Sequence, residues 1–100
     1  MKPHPSPFIN RRQKTIEFYI ENECAHHISL AGSFNHWARD LNMMQCDKEG
    51  CWRISIPLLP SGEYRYKFII DDRMDVEDVD NPLREPDGYI GWLSVLKVEN

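Results

Sequence analysis

Apolar and polar residues alternate with a period of two along most of this chain. Ile16, Phe18 and Ile20 alternate with Glu17, Tyr19 and Glu21, the pattern of a strand with one buried face. His27 to Ala31 predicts a second short strand, ended by Gly32-Ser33, and Met43 to Cys46 a third. Trp52, Ile54 and Ile56 alternate with Arg53 and Ser55, which assigns Trp52 to the core. The clearest strand is Tyr64 to Ile70, where Tyr64, Tyr66, Phe68 and Ile70 face one way and Arg65, Lys67 and Ile69 the other. Arg73-Met74 begins a return strand after the Asp71-Asp72 turn, and Leu93, Val95 and Val98 belong to a closing strand.

Between these runs lie turn residues: Asp47 to Gly50, Pro57 to Gly62, and a long Pro- and Gly-containing loop from Asn81 to Gly91. No segment carries a helical stripe. Short strands separated by turns indicate an all-β fold, a sandwich or a barrel, with Trp52, Tyr66 and Phe68 in a shared core. Residues 1–14 hold three prolines and no periodicity, so they are expected to form a flexible N-terminal arm, with the domain proper at 15–100.

Composition narrows the function. A chain of 100 residues is one domain, and a net charge of -4 argues against nucleic acid, whose phosphates need clustered Lys and Arg. No apolar stretch approaches the ~20 residues of a membrane helix, and Met1 to Pro7 lacks the apolar core of a signal peptide. Three cysteines, Cys24, Cys46 and Cys51, fit reduced thiols and a cytoplasmic location. Cys46 and Cys51 flank a hairpin turn, a placement that would let them face each other across strands, but they lack the Cys-x-x-Cys spacing of zinc or redox sites.

Catalytic chemistry finds no foothold. His26 and His27 beside Cys24 read as exposed residues at a strand start. The acids Asp71, Asp72, Asp75, Glu77, Asp78 and Asp80 lack the spacing of a calcium loop and read as a solvated, charged segment. No nucleophile, base or phosphate-binding loop is placed, so neither an enzyme nor a cofactor is expected.

What remains is a set of aromatics. Trp37 lies among polar residues in a loop, Trp92 follows Gly91, and Lys67 points away from the Tyr66 face. An exposed ring ringed by polar groups suits the flat C–H face and hydroxyl edge of a sugar.

Three motifs carry a resemblance. Leu30-Ala31-Gly32-Ser33-Phe34-Asn35-His36-Trp37, then Gly62 to Asp71 (GEYRYKFIID), then Asp80-Asn81-Pro82, resemble carbohydrate-binding module family 48. That family includes the glycogen-binding domain of the AMP-activated protein kinase beta subunit and the N-terminal domains of branching and debranching enzymes. The resemblance covers about Thr15 to Val98 and implies an immunoglobulin-like, early-set β-sandwich that binds α-glucans. Its Gly-Ser-Phe-Asn-x-Trp Trp, which stacks on glucose, matches Trp37, with Asn35 in the same motif, and its sugar-contacting Lys matches Lys67. Two positions depart. Met74 stands where the family has a second stacking Trp, and Leu93 where it has a sugar-binding Asn. Tyr89 or Trp92, on the long loop, is a candidate for the missing platform. The resemblance implies an α-glucan oligo- or polysaccharide as partner, with a glycan-metabolising enzyme as a further one. The alternatives are a protein-interaction module with a degenerate sugar site, or an accessory domain of a larger glycoside-active enzyme.

Overall fold

The computed structural model describes residues 2–100. Nine strands follow in order: β1 (Phe8–Asn10), β2 (Thr15–Glu21), β3 (Ile28–Gly32), β4 (Gln45–Cys46), β5 (Cys51–Pro57), β6 (Gly62–Ile70), β7 (Met74–Val76), β8 (Arg84–Pro86) and β9 (Trp92–Val98). One 3-10 turn, Ser33–Asn35, interrupts them. They form two antiparallel sheets, one ordered β1-β2-β5-β4 and the other β3-β6-β9-β8, with β7 pairing the far half of β6.

The predicted alternation sets the layers. In the first sheet, Ile16 pairs with Ile56, Phe18 with Ile54 and Ile20 with Trp52. In the second, Leu30 pairs with Phe68 and Tyr64 with Leu96. Directly paired residues share a face, so these pairs turn inward. Ile16, Phe18, Leu30, Trp52, Tyr66, Phe68, Leu96 and Val98 make one buried cluster, the packing of an all-β sandwich. Phe18 and Tyr66 meet edge to face across it, ring centroids 4.9 Å apart. The chain crosses from one sheet to the other along residues 42–46, where Leu30 N donates to Asn42 O and Met44 N to Ile28 O. That crossing covers the open edge of β3.

Four sequence expectations change. First, the segment expected as a flexible arm carries β1, whose Phe8 pairs with Glu17 and Asn10 with Thr15. Lys2 Nζ lies 2.6 Å from Asp80 Oδ2, and Ser6 Oγ accepts from Tyr19 N while donating to Asp78 Oδ2 at 2.5 Å. Short length hides such a strand from periodicity. Second, Asp78, expected in a solvated acidic segment, is 2% exposed. Tyr66 OH donates to it at 2.8 Å, and Ser94 Oγ accepts from its backbone N–H. Burial pushes its carboxyl up from the ordinary range against those donors. Third, the long loop contains β8, which pairs with β9 from Arg84↔Ser94 to Pro86↔Trp92. Fourth, Cys46 pairs with Trp52 while Cys51 pairs with Glu21, so the two thiols do not face one another; Cys46 is exposed and Cys51 buried.

Candidate functional site

The site begins where β3 ends. After the 3-10 turn, His36 and Trp37 both take left-handed backbone, with φ 58 and 60. Such residues cost about 1–2 kcal/mol each and persist only where neighbours hold them. Here Trp37 N donates to Gly32 O at 2.9 Å and Ala38 N to Asn35 O at 3.2 Å. The turn folds the loop back on itself and displays the Trp37 ring, 37% exposed.

Asn35 makes that turn possible from underneath. It is buried, and its Oδ1 accepts from Gly32 N at 3.0 Å. Its Nδ2 donates to Leu30 O at 3.0 Å and to Asn42 Oδ1 at 2.7 Å. The amide oxygen and nitrogen are thus both bonded within the protein, at the base of the turn that displays Trp37. A motif match shows which residue type recurs; only packing shows where its polar atoms go.

Lys67 rises from the outward phase of β6. Its ammonium lies 5.7 Å from the Trp37 ring centroid, near the outer limit of a cation–π contact. It also lies 2.6 Å from Asp75 Oδ2. Asp75 reaches it because β7 folds back on β6 with Ile69 opposite Asp75, which places Asp75 on the outward face. Arg39, from the Trp37 loop, comes within 3.4 Å of Asp75 Oδ1. The Lys67 hydrogen bond, with the Lys67 and Arg39 charges, outweighs burial and holds the Asp75 carboxyl below its ordinary value. An ionised, ion-paired carboxylate is an acceptor at neutral pH and a poor general acid.

The other expected residues lie elsewhere. Met74 pairs with Ile70, so it alternates away from Asp75 and Lys67, though it is 58% exposed. Trp92 shares the phase of Ser94 and Leu96, and the Arg84 guanidinium lies 4.1 Å from its ring centroid. Arg84 in turn is 3.0 Å from Glu77. Tyr89 and Ile90 form the fully exposed tip of the β8–β9 turn. Asp87 Oδ1 shapes that turn by accepting from Tyr89 N at 2.7 Å and Gly91 N at 3.2 Å.

The structure therefore joins Trp37 and Lys67 and adds Asp75 and Arg39, which sequence reasoning left out. A signal for Asp75 existed: reading Tyr64 to Val76 as a hairpin about the Asp71-Asp72 turn puts Asp75 in the phase of Lys67. Among the described residues no cluster of three His, Cys, Asp or Glu could hold a metal ion. The arrangement offers one aromatic face and a rim of donor, acceptor and donor.

Comparisons with known proteins agree with the sandwich fold. No curated protein sequence matches the chain. Among solved structures, a Salmonella typhimurium protein assigned as an alpha amylase superposes with a TM-score of 0.70 at 16% identity. The match covers 98% of this chain and 15% of that one, so the chain spans about 15% of that protein's length and the likeness is one of fold. The family described as the glycogen recognition site of AMP-activated protein kinase matches residues 15–99. With the sandwich, the displayed Trp37 and the adjacent Lys67 in place, the chain belongs to that family of glycogen-recognition domains.

Proposed function

We propose that this domain is a non-catalytic binding module for α-glucans of the glycogen or starch type. One observation carries the reading: in a glycogen-recognition family, the loop strain of His36 and Trp37 is spent on displaying a Trp ring beside Lys67. A glucosyl unit would lay its C–H face on the exposed Trp37 ring, and Lys67 would hold hydroxyl oxygens at the rim. The exposed Tyr89–Ile90 tip would offer apolar surface to further glucosyl units. With a single platform, affinity is weak, Kd about 0.1–1 mM, or about -4 to -5.5 kcal/mol. Attachment to a glycan-metabolising enzyme would raise the effective affinity by multivalency. A role as accessory domain is favoured by the fold's occupying only 15% of its amylase neighbour. Three free thiols suit a reducing cytoplasm.

The test is an amide NMR titration with maltoheptaose, with cellohexaose as control and Trp37→Ala as blank. Shifts at Trp37, Lys67 and the 87–91 turn, seen with the α-linked sugar alone and lost in the variant, support the reading. Silence at millimolar maltoheptaose overturns it.

A further inference from the structure

The departures from a two-ring site leave a question of chemistry: what supplies the selectivity that a second ring would give? Met74 alternates away from Lys67, and one approach to the Trp92 ring is taken by Arg84. The group that Lys67 links to the Trp37 platform is a carboxylate. Asp75 Oδ2 accepts from Lys67 Nζ at 2.6 Å and Oδ1 from Arg39 at 3.4 Å. A carboxylate has about four acceptor positions, so roughly two remain. The Asp75 side chain is 41% exposed, which leaves those positions open to a ligand.

Resting on the α-glucan reading, we propose that Asp75 is the specificity-determining acceptor of this site, taking the paired C2 and C3 hydroxyls of a glucosyl unit stacked on Trp37. Two hydroxyls on adjacent ring carbons match the fork of a carboxylate, and hydrogen bonds to an ionised acceptor are stronger than neutral ones. An interior unit of an α-1,4 chain keeps both hydroxyls free, whereas its C4 oxygen is consumed by the linkage. Lys67 and Arg39 keep the carboxylate ionised and in place, and the ammonium that Asp75 holds lies 5.7 Å from the Trp37 ring centroid. The preferred ligand is then a glucan with an unsubstituted C2–C3 diol.

The test is calorimetric binding of β-cyclodextrin, a cyclic α-1,4 glucan, and of its 6-O-methyl and 2,3-di-O-methyl forms. Each is measured on the wild-type domain, Asp75→Ala and Trp37→Ala, after amide spectra establish that both variants are folded. Expected for wild type is a loss of about tenfold on 2,3-methylation and little on 6-methylation, the low end for bonds to a charged acceptor. Asp75→Ala should bind the parent about tenfold more weakly and lose most of the discrimination against the 2,3-methylated ring. If Asp75→Ala weakens both ligands equally and still discriminates, Asp75 acts only by placing Lys67 and the proposal is overturned. If Asp75→Ala binds as wild type does while Trp37→Ala does not, the proposal fails and the α-glucan reading stands. If wild type does not bind the parent, both fail.

Discussion

Replacing Asn35 by Ala separates a residue that builds the site from one that touches the ligand. The side chain satisfies two buried backbone groups, Gly32 N–H and Leu30 C=O, and bonds Asn42 Oδ1 as well. Truncation leaves the N–H and the C=O without those partners, at roughly 1–3 kcal/mol each. Because both groups belong to one turn, the costs do not add fully, and about 3 kcal/mol is expected. For a domain of this size that lowers Tm by roughly 12–24 °C. Urea denaturation followed by Trp fluorescence measures the loss, and a maltoheptaose titration on the folded fraction measures binding. The expected result is a large stability loss, with weaker binding that follows from a loosened Trp37 turn. A stability change below about 0.5 kcal/mol, the size of an ordinary surface substitution, would show that Asn35 does not hold this turn. Lost affinity with unchanged stability would return Asn35 to the role of sugar contact.

Three further outcomes are expected. Gly32→Ala should destabilise by about 1–3 kcal/mol through overpacking. Its Cβ would lie 2.5 and 2.7 Å from Phe34 ring carbons and 2.8 Å from the Arg65 carbonyl oxygen. Since φ at Gly32 is -160, space and not backbone conformation demands glycine there, and an unchanged Tm in a thermal melt would count against that packing. Asp78, its carboxyl pushed up by burial, favours folding when protonated. Its contribution is full below the unfolded pKa and is lost as pH rises through the folded one. Urea midpoints across pH 3 to 8 should therefore show a component of opposite slope to that of Asp75, whose lowered value makes stability fall with falling pH, and Asp78→Asn should remove it. An Asp78→Asn profile parallel to wild type would contradict this. With a thiol reagent, Cys24 and Cys46 should react at once and Cys51 only on unfolding, and three fast thiols would contradict the burial of Cys51.

Alternation by itself determined the layers of this protein. Phe18, Trp52, Tyr66 and Phe68 sit in the core because a strand's side chains must alternate, and burying apolar area favours the face that carries them. The outward phase of Lys67 was legible for the same reason, and the break in alternation marked the loop that exposes Trp37. Periodicity does not reach three-residue elements, so β1 and β8 emerged only from pairing with β2 and β9. Nor does it reveal charge balance at a distance. Asp78 and Asp75 look alike in one acidic run, yet Asp78 lies under Ser6, Tyr66 and Ser94 while Asp75 meets Lys67 and Arg39 at the surface. Ser6 and Asp78 are 72 residues apart in the chain. A carboxylate's role depends on which donors surround it, and those donors come from segments that only the folded sandwich brings together.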